Sequence, residues 1–349
     1  MVYFGSWIVD GRMVRCARRD TLKPTLNAVR RRATGVGAGS KLSPSRRDKQ
    51  TMGSRINILV QTTIPAITDD WNIDRFSLLR DHLVSLSDES GERLYNVTAR
   101  NREVNVEGND AVLSVLDTTN FDELWLFAVD SGNGLTVADC QGITRFRQRG
   151  GGILTTRDHQ DLGSSLCTLG GVGRAHFFHT KHPEPDESRH TRDDQDARTI
   201  SWPNYHSGSN GDYQRISAVK PVHELLLNPK NDSGVVEYFP AHPHEGAVGV
   251  PEGENYANVI ATGTSQVTGR AFNLIVAFES ARDAHGNTLG RAIAESSFHH
   301  LVNYNWDISA GCPTFLIEPP GDQIRRTPEK LADIKTYVGN VARWLAPGV

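Results

Sequence analysis

The sequence has few of the features that mark several common protein classes. Its 349 residues include only four cysteines, Cys16, Cys140, Cys167 and Cys312, and none of them forms a CxxC pair. A disulfide framework or a structural zinc site is therefore not expected, and this cysteine usage favours a reducing, cytoplasmic compartment. No apolar run approaches the roughly 20 residues that a membrane-spanning helix needs, so no membrane partner is expected. The HExxH pattern of many zinc hydrolases is also missing.

Positive charge is concentrated at the amino terminus. Residues 1–50 contain 12 Lys and Arg against three Asp, whereas the rest of the chain contains 26 basic and 38 acidic residues. This segment also lacks a long periodic apolar pattern, and we predict that residues 1–51 form a disordered, dispensable extension before a folded domain at 52–349. A targeting peptide or a nucleic-acid arm could have this composition, but the acidic body argues against nucleic acid as the main partner.

From Met52 onward, apolar runs alternate with amphipathic stretches. Strands are predicted at 56–64, 94–99, 124–129, 152–156, 235–239, 258–262, 273–279 and 291–296. Helices are predicted after a cap at 68–70, over 136–148 up to the glycines at 150–152, and from a Thr327 cap through Pro328 to Leu345. This alternation is typical of parallel strands joined by right-handed crossovers.

Residues 164–213 interrupt the alternation with a long insertion that is rich in Gly, His, Asp and Pro. A stretch of this length without regular structure is usually functional or disordered. Because Trp202, Tyr205 and Tyr213 are costly to leave in water, we expect a folded lid over a site. The acidic run 183–196 is expected to be a solvated excursion from that lid.

The segment 150–163 carries the strongest functional signal. A glycine stop precedes a short apolar strand, which ends in Arg157-Asp158-His159-Gln160-Asp161. Ligands and catalytic groups gather at the carboxyl ends of strands in open α/β sheets, so this ending predicts a site. Capping of the next helix would also account for Asp158 and Asp161. Two later strands are also followed by histidines, at 242–245 (His-Pro-His-Glu) and at 296–300 (Ser-Ser-Phe-His-His).

The histidines are distributed unevenly, since His82 is the only one of the 13 before residue 150. Imidazole serves both general acid–base catalysis and metal binding, and both explanations stay open for those at strand ends. Adjacent histidines on a regular strand point to opposite faces, so His299 and His300 could not both bind one ion there. Simple hydrogen bonding within polar loops is the strongest explanation for His176, His179, His182, His190 and His223.

Three segments together resemble the class I glutamine amidotransferase-like superfamily, and within it the ThuA-like (trehalose-utilisation) proteins, over about 55–345. They are Asp130-Ser131-Gly132 after a strand, the glycine-rich strand 150–154, and the stretch 290–300. The resemblance implies an α/β fold, a flavodoxin-like three-layer α/β/α sandwich with a mostly parallel sheet and a lid-like insertion. It also places the turn after Thr156 at the nucleophile elbow.

The elbow of the superfamily's glutaminases holds a cysteine, which this chain lacks. Arg157, Asp158 and His159 occupy that region, and Cys167 lies several residues downstream. Without a thiolate beside an imidazole, glutamine hydrolysis by a cysteine nucleophile is not expected. ThuA-like proteins likewise lack this cysteine, so the resemblance implies a fold more sharply than it implies a reaction.

Three functions remain open. The first is an enzyme that acts on a polar small molecule, such as a sugar derivative, by acid–base chemistry. The second is a metal-dependent hydrolase with a divalent cation as cofactor, and the third is a non-catalytic module that binds a metabolite or a partner. A homo-oligomer is compatible with all three. The aromatic residues Trp202, Tyr205 and Trp306, if exposed at the mouth of the pocket, would suit a carbohydrate ligand.

The site residues follow from the strand ends and the insertion. The predicted catalytic residues are Asp158, His159, His299 and His300. The predicted substrate-binding residues are Thr63, Asp130, Trp202, Tyr205, His206, His242, His244 and Glu245. We expect Asp158, His159, one of His242 and His244, and one of His299 and His300 to line a single cleft, which the segment 202–206 should cover.

Overall fold

The structure of the protein is a computed structural model, and it describes residues 55–194, 197 and 199–348. The predicted extension at 1–51 lies outside these residues. The described strands are β1 (Ile56–Thr62), β2 (Tyr95–Arg100), β3 (Glu123–Phe127), β4 (Gly152–Thr156), β5 (His176–Phe177), β6 (Tyr213–Arg215), β7 (Ser217–Ala218), β8 (Tyr238–Pro240), β9 (Ala247–Val248), β10 (Ala257–Thr264), β11 (Ala271–Phe278), β12 (Ala281–Arg282), β13 (Thr288–Leu289) and β14 (Ala292–Glu295). The α-helices are α1 (Ser77–Ser85), α2 (Val137–Gln148), α3 (Asn303–Trp306), α4 (Gln323–Arg326) and α5 (Leu331–Leu345). None of these helices is long and apolar enough to cross a membrane.

Eight strands form one sheet in the order β2-β1-β3-β4-β14-β11-β10-β7. The pairings from β2 to β14 are parallel, and those among β14, β11, β10 and β7 are antiparallel. With β14 counted fifth, the parallel part has the order 2-1-3-4-5, which is that of flavodoxin-like folds. The mostly parallel sheet that the resemblance implied is confirmed.

Apolar cores cover both faces of this sheet. Alternate residues of a strand point to opposite faces, so Ile58 and Val60 of β1 pack with α1 and α5, while Leu59 packs with α2 and the 3-10 segment 113–118. Helices thus lie on both sides of the sheet, which confirms the three-layer α/β/α sandwich. In α5, Ile334, Val338, Val341 and Leu345 are buried in this core, and Leu331 packs against it partly buried.

The helix ends agree with the sequence in one case and differ in two. Thr136 and Asp139 form a capping box at the start of α2, as Thr and Asp at these positions favour. Before α1, the cap is Asn72, whose side chain accepts a hydrogen bond from the Asp74 N–H, and not the predicted 68–70. Thr327 makes no cap hydrogen bond, and a 3-10 turn at Pro328–Lys330 leads into α5.

The turn after β4 is wider than the elbow that the resemblance implied. The chain runs through 157–163 before the 3-10 segment Ser164–Thr168 begins, and Gln160 takes a left-handed φ of 48°. Arg157 explains this course, because its fully buried guanidinium donates a 2.7 Å hydrogen bond to the Gln160 carbonyl and lies over the Phe178 ring. The turn is thus wrapped around a buried cation.

The insertion is packed against the body and does not form a separate lid. Trp202 and Tyr205 are buried; the Trp202 indole donates to the Arg189 carbonyl, and Tyr205 stacks on Phe272 at 4.9 Å. Only the end of the predicted strand 235–239 is formed, as part of β8, which pairs with β6 outside the main sheet. The prediction that the acidic run 183–196 is solvated is wrong for Asp193 and Asp194, which are buried.

Candidate functional site

The site forms where two neighbouring parallel strands end. Asp158 follows β4, and His299 lies in the 3-10 turn Phe298–His300 after β14. The two ends are joined directly, because the Phe298 N–H donates to the Arg157 carbonyl at 2.9 Å. His242 reaches the same place from the turn after β8. Strand order therefore brings together side chains that are far apart in the sequence.

Asp158, His242 and His299 form a compact buried triad. His242 Nε2 lies 2.8 Å from Asp158 Oδ1, and His299 Nε2 lies 3.6 Å from Asp158 Oδ2. One nitrogen or oxygen from each of the three side chains lies within 4.8 Å of the others. The two imidazole rings stack with centroids 3.6 Å apart and planes inclined by 10°. This geometry could hold a metal ion, because two imidazoles and a carboxylate suit several divalent cations.

The hydrogen-bond network behind the triad fixes the proton on His242. A backbone carbonyl can only accept, so the Asn305 side-chain atom 3.1 Å from the Ala241 carbonyl is the donor Nδ2. The same Nδ2 group also donates to Asn210 Oδ1, at 3.0 Å. Asn210 Oδ1 is therefore an acceptor, and His242 Nδ1, 3.2 Å away, must donate to it. A neutral His242 then has a bare Nε2 facing the Asp158 carboxylate at 2.8 Å. That contact is repulsive unless a proton or another cation lies between the two atoms.

Burial decides against an extra proton on the stacked imidazoles. Burial, followed by the neighbouring His299, lowers the pKa of His242 well below its ordinary value, and burial likewise lowers the pKa of His299. Burial alone would raise the pKa of Asp158, but interactions with His159 and then His242 lower it well below its ordinary value. Burial therefore disfavours the charged form of each stacked imidazole, while the Asp158 carboxylate needs a proton or another cation close to it.

His159 and His244 extend the site on the open side. His159 Nδ1 lies 3.3 Å from Asp158 Oδ2 without hydrogen-bond geometry, and its side chain is 25% exposed. His244 lies between Asp194 and Glu318, at 2.9 and 3.3 Å. Burial opposes protonation of His244, but hydrogen bonds with these two carboxylates raise its pKa to about 9, so it is a cation at neutral pH.

His300 faces away from the triad, into the protein. Its Nε2 lies 3.0 Å from Glu245, and its Nδ1 lies 3.6 Å from Glu295. Against the effect of burial, Glu245 and then Glu295 raise the pKa of His300 to about 10. Neighbouring residues in the 3-10 turn thus point in different directions, and the predicted catalytic His300 and binding Glu245 belong to a buried ionic network behind the site.

A cleft of about 480 Å³ opens beside the triad. Of the sequence-predicted residues, those that line it are Asp130, Asp158, His159, His242, His244 and His299. Those that do not line it are Thr63, Trp202, Tyr205, His206, Glu245 and His300. Thr63 supports the wall from behind, where its hydroxyl accepts from the Val129 N–H at 3.0 Å. Trp202, Tyr205 and Trp306 are buried, so the three aromatics offered for sugar stacking are unavailable for it.

Sequence reasoning missed one wall of the cleft. Trp71 lies edge-on to the His299 ring at 4.7 Å, and Phe315, Leu316 and Glu318 come from the irregular segment before α4. Trp71 follows the predicted cap at 68–70, so its place after β1 was the one available signal. The segment around Phe315 has no periodic pattern, and nothing in its sequence placed it at the site.

Comparisons with known proteins find similarity in structure but none in sequence families. No family model matches the sequence, and no curated protein is significantly similar to it. Solved structures similar to it include a putative ThuA-like protein from Parabacteroides merdae, at 14% identity and a TM-score of 0.41 over 84% of this chain and 91% of that one. The glutaminase domain of Trypanosoma brucei CTPS matches at 14% identity and a TM-score of 0.39 over 81% and 94%.

The N-terminal domain of mmIFT52 is also similar, at 11% identity and a TM-score of 0.44 over 83% of this chain and 98% of that one. The structural neighbours thus include ThuA-like proteins and the glutaminase domain of CTPS. The fold assignment itself rests on the strand order and the two helical layers described above.

Proposed function

We propose that this protein is a metal-dependent enzyme, in which Asp158, His242 and His299 bind a divalent cation that activates water for hydrolysis of a polar small molecule. The observation that carries the proposal is the 2.8 Å contact between His242 Nε2 and the Asp158 carboxylate, made while His242 Nδ1 donates to Asn210. A cation between Nε2 and the carboxylate would remove the repulsion between these two acceptors. The hydrogen bond from His242 Nδ1 to Asn210 is also the contact that metal-bound histidines usually make with their second nitrogen.

The chemistry of such a site follows from its open side. Three protein ligands leave coordination positions for water and substrate, and a bound cation such as Zn²⁺ lowers the pKa of water toward neutrality. His159 lies next to Asp158 and is partly exposed to the cleft, so it is placed to carry a proton to or from the substrate. A cleft of about 480 Å³ is in the range of small-molecule sites.

Metal content of protein purified without a histidine tag tests the proposal. We expect about one divalent ion per chain by plasma mass spectrometry, after dialysis against Zn²⁺, Mn²⁺, Fe²⁺ or Ni²⁺ in turn. His242→Gln, His299→Gln and Asp158→Asn should each weaken binding by at least about 100-fold, since a ligand matters more than the supporting groups that typically change affinity 10–100-fold. Asn210→Ala should fall in that lower range, about 10–100-fold.

Two matched controls make the result specific. His223→Gln removes a histidine that pairs with Glu279 away from the site, and it should leave metal affinity unchanged. His159→Gln removes a neighbour of Asp158 that is not a proposed ligand, so it should retain the ion and lose activity. If no ion binds stoichiometrically, or if His242→Gln binds it as tightly as the parent protein, the proposal is wrong.

Acid–base catalysis without a metal is the second candidate, and one observation favours it. His159 Nδ1 lies 3.3 Å from Asp158 Oδ2 while the ring lines the cleft, so a partly exposed imidazole stands where a general base could reach a substrate. Chelation separates the two candidates. An activity that survives removal of all metal and is lost in His159→Gln would favour this candidate.

The cellular setting stays a proposal of the same kind. The described cysteines, Cys140, Cys167 and Cys312, are free thiols, which is compatible with a reducing cytoplasmic compartment. A small-molecule substrate is the partner that the cleft supports. We propose no nucleic-acid partner, because the acidic balance of the body disfavours one.

A further inference from the structure

One wall of the cleft is apolar and is held rigidly at both ends. The strap, residues 314–318, crosses the side of the cleft between two polar anchors. At one end, the N–H and hydroxyl of Thr314 both donate to the Asp69 carboxylate, the former at 2.7 Å. At the other end, Glu318 Oε1 lies 3.3 Å from His244 Nε2. The apolar side chains of the strap are therefore fixed beside the histidines.

The side chains between these anchors are apolar and only partly covered. Phe315 is 57% exposed, Leu316 is half-buried, and both line the cleft. Ile200 and Leu162 continue the apolar lining, and Leu162 and Leu316 also pack against the core. An exposed aromatic ring that faces a ligand-sized cleft is well placed for a contact with a ligand.

The polar groups of the strap are already used. Thr314 is engaged with Asp69 and does not line the cleft, and one oxygen of Glu318 is engaged with His244. A sugar ring needs hydrogen-bond partners around its edge, and this wall supplies hydrocarbon surface from Phe315, Leu316 and Leu162. The wall thus suits an aryl or branched alkyl group better than a polyol.

From this geometry we infer that the substrate is amphiphilic, with a polar head at the Asp158–His242–His299 triad and an aryl or branched alkyl group against Phe315 and Leu316. The inference rests on the proposed function, since it names the class of substrate for that same site. The two parts of the molecule would lie next to each other, because Glu318 of the strap touches His244 and His244 lies two residues from His242.

Binding of two small diols tests the inference without requiring turnover. Propane-1,2-diol and 3-phenylpropane-1,2-diol share a polar head and differ by one phenyl group. Their affinities for the full chain would be measured by NMR titration, with and without saturating Zn²⁺. We expect the phenyl compound to bind at least about tenfold more tightly, as burial of one aromatic ring provides. The double substitution Phe315→Ser with Leu316→Ser should abolish this difference.

Ile317→Ser is the matched control, because Ile317 lies in the same strap, is 85% exposed and does not line the cleft. It should keep the full preference, and unchanged thermal unfolding would show that each variant is folded. Equal binding of the two diols to the parent protein, or an unchanged preference in the double variant, would overturn the inference. So would a double variant whose only change, by sedimentation velocity, is loss of a dimer, because the strap would then contact a second copy.

The metal arm separates this inference from the proposed function. A preference for the phenyl compound in a protein that binds no metal would refute the proposed function and support the apolar subsite. Stoichiometric metal binding without any preference for the phenyl compound would support the metal site of the proposed function and refute the apolar subsite.

Discussion

Glu245 and His300 form the most heavily bonded ion pair behind the site, and their energetic coupling can be measured. The Glu245 carboxylate accepts from Ser207, Gln214 and His300 at 3.0, 2.6 and 3.0 Å through Oε1, and from Ser296 at 2.8 Å through Oε2. Both members of the pair are 0% exposed. Loss of either charge therefore leaves the other in a medium that solvates it poorly.

The expected cost follows from this burial. Glu245→Gln would leave a buried imidazolium whose remaining carboxylate, on Glu295, lies 3.6 Å away. Breaking a buried pair by removing one partner costs about 3–5 kcal/mol in free energy of unfolding, and we expect this range for Glu245→Gln and for His300→Gln. The double variant should cost less than the sum, with a coupling of about 1–3 kcal/mol, because two neutral amides can still hydrogen-bond.

Urea unfolding followed by tryptophan fluorescence at pH 7 measures these values. Glu279→Gln is the control, since its carboxylate pairs with His223 at 3.1 Å but is 44% exposed; it should cost less than about 1 kcal/mol. Costs below about 1 kcal/mol for both buried variants, or strictly additive costs, would refute the reasoning.

The pH dependence gives an independent check on the same pair. The pKa of His300 is raised to about 10, so its contribution to stability is fully present below the ordinary imidazole value and is lost as pH rises through about 10. Stability of the parent protein should therefore decline from about pH 7 to pH 10. The decline should be shallower in Glu245→Gln, where the charge that favours the imidazolium is gone.

Three simpler predictions use local geometry. Gly339→Ala should stabilise the protein by about 0.5–1 kcal/mol, because the site is inside α5 and the added methyl group meets only Leu86, at 3.8 Å; destabilisation in urea would contradict this. Gly134→Ala should destabilise it by about 1–3 kcal/mol, because the methyl group would lie 2.3 Å from the Asp130 carboxylate, and an unchanged urea midpoint would show that the turn relaxes freely. Burial raises the pKa of Cys167 to about 11, so iodoacetamide should label it at least about tenfold more slowly at pH 8 than free cysteine; fast labelling by mass spectrometry would reopen cysteine chemistry.

The sheet could be predicted because its signal is local. The apolar run of β3 and the capping box of α2 each depend on residues that are close together in the sequence, and both form in the structure. The antiparallel part was less accessible, since β10 and β11 have apolar runs that give no strand direction. Direction is decided by the tight connection between them and by the edge that β14 leaves open.

The aromatic residues of the insertion show why composition alone cannot place a side chain. Trp202 and Tyr205 were expected in a folded lid over the cleft because aromatic rings are costly to leave in water. The cost of hydrating such rings is equally well avoided by packing, and Tyr205 finds Phe272 on a distant strand. Phe315, in contrast, remains exposed because the strap that carries it is tied down by polar groups on either side.

The candidate metal triad marks where sequence reasoning stops. Asp158 and one of His299 and His300 could be paired beforehand, because strand ends of one parallel sheet meet at one edge. The choice between His242 and His244 could not, since both lie in the same short turn, and it depends on contacts with other segments. Asp194 and Glu318 hold His244 as a cation, whereas Asn210 takes the Nδ1 proton of His242. His244 is thus a charged residue in the wall of the cleft, whereas His242, two residues away, is a candidate metal ligand.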